Sequence, residues 1–115
     1  MLLQQQKLEE AQKREVSIMY ARVTTFQVQP GQIGTWTQIA RDSVIAVVKQ
    51  QPGYHSGLVL TNESANKIMV ITLWETETEM KAGETNGYYQ QQAAKIASLL
   101  TAPPVREAYE VTFQV

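Results

Sequence analysis

The chain has 115 residues, 43% hydrophobic and 18% charged, with ten basic residues against eleven acidic ones for a net charge of −1. That composition suits one soluble globular domain, lacks the basic footprint of a nucleic-acid binder, and offers no run of Lys or Arg for an anionic membrane. The chain has no cysteine and one histidine, His55, which excludes disulfides, thiolate metal centres, cysteine nucleophiles and a multi-histidine site within a single chain.

No apolar h-region opens the chain and no apolar stretch reaches the ~20 residues that span a bilayer. Together with the absence of cysteine, this predicts a cytoplasmic protein. Residues 1–15 (MLLQQQKLEEAQKRE) are Gln-rich with mixed charge. They read as an N-terminal extension, either helical or disordered, in front of one domain over residues 16–115. A helical arm packed on a neighbouring subunit is the sharper alternative.

Ser17 to Val28 is rich in β-branched and aromatic residues and predicts a first strand. After Pro30-Gly31, Gln32 to Gln50 places Ile33, Trp36, Ile39, Ala40, Val44, Val47 and Val48 at helical spacing, predicting a long amphipathic helix stopped by Pro52-Gly53. Tyr54 to Asn62 and Lys67 to Trp74 predict two further strands. The short NESAN link makes them an antiparallel hairpin. Thr76 and Glu79 match a capping box, a hydroxyl on the first amides and a carboxylate reaching back, so a helix starts there. Gly83 and Gly87 predict a kink or two segments. Tyr89, Ala93, Ile96, Ala97 and Leu100 then share a helical face until Pro103-Pro104. Val105 to Val115 alternates as a fourth strand.

The order βαββαβ is that of a ferredoxin-like α+β fold, a four-stranded antiparallel sheet with two helices on one face. Side chains alternate across a strand, so Met19/Ala21/Val23 and Met69/Ile71/Leu73 share one sheet face. Tyr20/Arg22/Thr24/Phe26/Val28 and Ile68/Val70/Thr72/Trp74 share the other. Both are apolar, and two helices cover one. The aliphatic sets are expected under the helices. The aromatic-bearing sets, with Tyr109, Val111 and Phe113 of the last strand, are expected on the open face. Leaving such a face wet forgoes burial worth about 1.5–3 kcal/mol per large side chain, against about 5–15 kcal/mol of net stability for a whole domain. A homodimer joined sheet to sheet by isologous contacts follows.

The polar atoms of Tyr20, Arg22, Thr24, Thr72 and Trp74 among apolar neighbours suggest a small-molecule pocket. Trp74 has two readings, core packing with a satisfied N–H or the wall of a cavity between sheet and second helix. His55 is the one imidazole, the usual base near neutral pH, and equally a surface residue beside a Pro-Gly turn. Arg22 either binds an anionic group or pairs with Glu107 or Glu110.

Pro52-Gly53-Tyr54, Val70-Ile71-Thr72-Leu73-Trp74-Glu75, the acidic turn Thr76 to Met80, Asn86-Gly87-Tyr88-Tyr89 and Pro103-Pro104-Val105 together resemble the antibiotic-biosynthesis-monooxygenase-like family of dimeric α+β barrels. The resemblance covers about Ile18 to Val115. It implies an eight-stranded barrel made by two subunits, a ligand cavity in each, and oxygenation of a small apolar or aromatic molecule such as a quinol or anthrone with no cofactor. Carried onto this chain, it implies His55, Trp74 and Tyr88 as catalytic candidates and Tyr20, Arg22, Thr24, Trp36, Thr72 and Tyr89 as substrate-binding candidates. The haem-degrading branch has a histidine near Ala93 and a tryptophan near Gly83, and this chain has neither. Where some members carry an asparagine, this chain has Val70 and Thr72, and Tyr88 stands where many have a histidine. A non-catalytic dimeric binding or stress-response module of the same fold is the alternative.

Overall fold

A computed structural model describes residues 19–85 and 87–115, with the backbone alone for 84, 85, 88 and 89. The predicted extension over residues 1–15 lies outside them. Four strands, β1 (Tyr20–Gln27), β2 (Tyr54–Asn62), β3 (Lys67–Trp74) and β4 (Val105–Glu110), form one antiparallel sheet in the order β2-β3-β1-β4. The helical segments are α1 (Ile33–Ile39), a π turn (Ala40–Val44), α2 (Ile45–Val48), α3 (Glu77–Thr85) and α4 (Tyr88–Ile96). This is the ferredoxin-like arrangement expected. β1 starts later than the reading of Ser17 to Val28, and β4 ends at Glu110, leaving 111–115 outside the sheet.

The local chemistry explains the boundaries. Between β2 and β3, Asn62 Oδ1 accepts from the Ala65 N–H at 3.2 Å and the Ser64 hydroxyl at 2.9 Å. Asn66 closes the turn with φ of 51°, a left-handed conformation that asparagine tolerates. At the start of α3 the Thr76 hydroxyl accepts from the Glu79 N–H at 3.1 Å and itself donates to Glu79 Oε1 at 3.0 Å. The expected box forms, except that the carboxylate meets the hydroxyl. The break before α4 falls at Gly87, with φ of 81°; Gly83 stays inside α3, buried.

The long first helix is interrupted by the π turn. There the Ile45 N–H donates to the Ala40 carbonyl five residues back. Widening the helix lets Trp36, Ala40 and Val48 all reach the sheet, and such turns often border functional sites.

The strand parity stands for β1 and β3, but the face assignment is reversed, and Tyr109 of β4, expected with the Tyr20 and Ile68 sets, falls on the face of Ala21 and Val23 instead. Phe26, Val28 and Ile68 pack with Ile33, Trp36, Ala40 and Ile96 of the helices. Trp74 packs with Val48 and Met80, with Tyr20 and Tyr54 against them. The aromatic-bearing face is the covered one. Met69, Ile71, Leu73, Ala21 and Val23 lie on the other. Tyr109 pairs with Ala21 and Glu107 with Val23, so both lie on that open face, away from Tyr20 and Arg22. Both faces are apolar, so alternation alone does not choose; the hand of the βαβ crossover does. The open face adds Leu58 and Leu60 from β2, 61% and 46% exposed, and Val105 and Tyr109 from β4, 57% and 49% exposed.

Candidate functional site

Between the covered face and the two helical runs lies a half-open cavity of about 210 Å³. Its floor is Arg22, Thr24 and Phe26 of β1 with Val70 and Thr72 of β3. The register sets this floor: Arg22 sits opposite Thr72, and Thr24 opposite Val70. Trp36, Val44 and Ile45 form one wall, and Gln92, Ala93 and Ile96 of α4 form the other. Arg106 of β4, opposite Thr24, closes the side with Pro104. The lining is mostly apolar, with two guanidinium groups, two threonine hydroxyls, an indole N–H and side-chain amides, a composition suited to a flat organic molecule held by a few hydrogen bonds.

A second cleft of about 330 Å³ lies on the other side of the first helical run, between it and β2, with Arg41, Lys49, Tyr54 and Gly57 at its border. Trp36, Val70 and Thr72 line both. Gly57 keeps this second space tight: a Cβ there would come within 3.1 Å of both the Ile71 carbonyl and the Tyr54 hydroxyl.

Of the residues anticipated from sequence, Arg22, Thr24, Trp36 and Thr72 meet at the first cavity. Arg22 is buried, 5% exposed. Trp36 stacks at a tilt on Phe26, ring centroids 5.0 Å apart. Trp74 is fully buried one layer behind, and does not wall the space between sheet and second helix. Its ring meets Tyr54 edge-on at 5.8 Å, and its Nε1–H donates to Thr72 Oγ1 at 2.8 Å. An indole nitrogen only donates, so the Thr72 oxygen is the acceptor and its hydrogen is directed elsewhere. Tyr20 packs beside Trp74. His55 is exposed in the irregular step of β2 between Tyr54 and Ser56, its Nδ1 2.9 Å from Ser56 Oγ, and borders neither space. The side chains of Tyr88 and Tyr89 lie outside the described residues. The Arg22–Glu107 pairing does not form, since Glu107 faces the open side and accepts from the Tyr109 hydroxyl at 2.6 Å.

Sequence reasoning missed Gln92 and Arg106. Gln92 was hidden in the polar run Gln90-Gln91-Gln92, although it stands one helical turn before Ile96 and so shares its buried face. Arg106 had a signal in the alternation of β4, once the covered face is known. Among the described residues no group of three or more His, Asp or Glu is placed to hold a metal ion, and no helix is long and apolar enough to cross a membrane.

Comparison with solved structures supports the fold. A monooxygenase from the gene ActVA-Orf6 of Streptomyces coelicolor, in complex with the ligand Nanaomycin D, superposes with a TM-score of 0.74 at 17% identity, over 89% of this chain and 95% of that one. A protein of unknown function from Nitrosomonas europaea gives 0.71 at 18% identity, over 86% and 94%. Rv0793 from Mycobacterium tuberculosis gives 0.69 at 14% identity, over 84% and 97%. No curated protein matches. The family model of the antibiotic biosynthesis monooxygenases matches residues 19–95, β1 through most of α4 and with it most of the cavity, and the chain belongs to that family.

Proposed function

We propose that the protein is a monooxygenase that oxidises a small aromatic or quinol in the cavity between sheet and helices, with no bound cofactor. The observation that carries this reading is the cavity itself: small, mostly apolar, with a few converging polar groups, in a chain of this family. The substrate supplies the electrons. An activated methylene, that of an anthrone or of a quinol's keto tautomer, loses a proton, the carbanion passes an electron to dioxygen, and the two radicals join as a peroxide anion that takes the proton back as a hydroperoxide. Loss of water leaves a carbonyl. One oxygen atom ends in the product and the other in water, R₂CH₂ + O₂ → R₂C=O + H₂O, with no outside reductant. The protein's share is to exclude water and stabilise the anion with oriented donors. Arg22, Thr24, Trp36 and Thr72 take that role, Trp74 positions Thr72, and Tyr20 supports Trp74. Tyr88 and Tyr89 keep their proposed places at the head of the helix that carries Gln92. His55 has no contact with the ring in this reading.

The working unit we infer is a homodimer. The open face presents Leu58, Leu60, Val105 and Tyr109 beside Met69, Ile71 and Leu73, a contiguous apolar surface of the kind that marks an interface. A second copy covers it with the same residues, and each cavity stays within its own subunit.

One observation favours a second reading, a binding module without turnover: among the described lining residues there is no imidazole and no carboxylate to act as base. Oxygenation here calls for a substrate that ionises readily on its own. Oxygen-electrode measurements with a panel of quinols and anthrones decide between the two. Uptake above a protein-free control, with no hydrogen peroxide released and a loss in Thr72→Val, supports the monooxygenase. No uptake across the panel moves the assignment to the binding module.

A further inference from the structure

The last five residues, Val111 to Val115, read as strand in the sequence, with Val111, Phe113 and Val115 alternating against Thr112 and Gln114. Among the described residues they pair with no strand. β4 ends at Glu110, and the last backbone tie to the rest of the chain is the Val111 N–H donating to the Met19 carbonyl at 2.9 Å. Beyond it the tail is exposed, Phe113 at 76%. By the period of two, Val111, Phe113 and Val115 share the parity of Tyr109, so the tail's apolar side is the side of the open face.

The sheet has a matching vacancy at its other edge. β2 pairs with β3 alone. Its nine residues, YHSGLVLTN, hold no Pro, Lys, Arg, Asp or Glu, and its irregular step between Tyr54 and Ser56 lies at its start. Proteins blunt an edge with such residues or with bulges, because its outer N–H and C=O groups otherwise template another strand. β4, the opposite edge, carries Arg106, Glu107 and Glu110. β2 has no such guard from Gly57 to Asn62, and Leu58, Val59 and Leu60 are all exposed. Within one chain tail and edge are kept apart, since β3 and β1 lie between β2 and β4.

We propose that residues 111–115 of each subunit add as a short fifth strand to the β2 edge of its partner. This rests on the homodimer inferred above. Sheets packed face to face lie about 10 Å apart, and five extended residues span about 17 Å, enough to pass from one sheet to the edge of the other. In strand addition the backbone bonds supply affinity and alternate side chains supply fit. Here Phe113 and its neighbours carry the tail's apolar side onto the interface, and Thr112 and Gln114 face away. Two-fold symmetry makes the exchange reciprocal, so both β2 edges are covered and both tails are ordered.

The test is cross-linking, which the absence of cysteine makes specific. Gln114→Cys in the tail is combined in one chain with His55→Cys or with Thr61→Cys, near the two ends of β2. Each protein is treated with a bismaleimide in dilute solution. A covalent dimer on a denaturing gel is expected from at least one double variant and from none of the three single variants. Light scattering on the same samples reports whether the dimer is present. A chain ending at Val111 keeps the tie to Met19 and is expected to fold, with a dimer dissociation constant raised at least about tenfold by the loss of one large buried apolar side chain per subunit. A dimer that gives no cross-link in either double variant, or that is as tight without residues 112–115, overturns the exchange and leaves the sheet-to-sheet dimer standing. A cross-link from any single variant means that like segments meet, and overturns it too. A monomeric wild type overturns both the exchange and the dimer.

Discussion

The Trp74 indole N–H donates to the Thr72 hydroxyl at 2.8 Å, between residues two apart on the same face of β3. The bond joins the deepest aromatic of the core to a residue that lines both spaces beside the first helical run. Thr72→Val keeps the shape and strips the acceptor, leaving a buried N–H unsatisfied at a cost of about 1–3 kcal/mol. Thr72→Ser keeps the bond and gives up one methyl, about 0.8 kcal/mol. Urea unfolding of the two variants is expected to rank valine below serine. The reverse order means that the bond contributes nothing net.

Gly87 and Gly53 separate two costs. Both have a φ near +80°, 81° and 82°, where an L side chain loses about 1–2 kcal/mol. A Cβ at Gly87 meets nothing within 4 Å, whereas one at Gly53 comes within 2.5 Å of the Glu79 carboxyl. Gly87→Ala is expected to cost the backbone term alone, and Gly53→Ala measurably more. Equal losses in chemical denaturation would mean that the start of α3, which carries the Glu79 Cβ 2.7 Å away, shifts without cost.

Leu58 and Val59 are adjacent in β2 and point to opposite faces, opposite Ile71 and Val70 of β3 respectively. If two copies pair through the open face, Leu58→Glu puts a charge into the interface and Val59→Glu does not. Light scattering on size-exclusion fractions is expected to find a dimer for the wild type and Val59→Glu, and a monomer for Leu58→Glu. A dimer that survives Leu58→Glu places the interface elsewhere.

The Tyr109 hydroxyl titrates above its ordinary range, first because it donates to the Glu107 carboxylate at 2.6 Å, then through partial desolvation and the carboxylate's charge. The folded value exceeds the unfolded one of about 10. What the bond contributes is therefore complete below the unfolded value and lost as pH rises through the folded one. An ultraviolet titration of tyrosinate is expected to show a late-ionising tyrosine, and Glu107→Gln is expected to bring it back toward the ordinary value. An unchanged curve in that variant would assign the late step to another tyrosine.

Strand boundaries at β2 and β3, the capping box at Thr76, the break near Gly87 and the residues sharing each face of β1 and β3 were legible in the sequence. Each rests on a local rule: turn chemistry, a hydroxyl beside free amides, a positive φ, a period of two. From those came the βαββαβ order, and with it four floor and wall residues of the cavity, Arg22, Thr24, Trp36 and Thr72. Which face lay under the helices was not legible, because Met69-Ile71-Leu73 and Ile68-Val70-Trp74 are apolar alike and alternation carries no sign. The hand of the crossovers supplied it. That choice buried Trp74 behind Thr72, put Tyr109 and Glu107 on the open side, and turned Gln92 from one polar residue in a run into a buried residue lining the same cavity as Trp36. Hydrogen-bond demand depends on what surrounds an atom in space, and a sequence lists only what surrounds it along the chain.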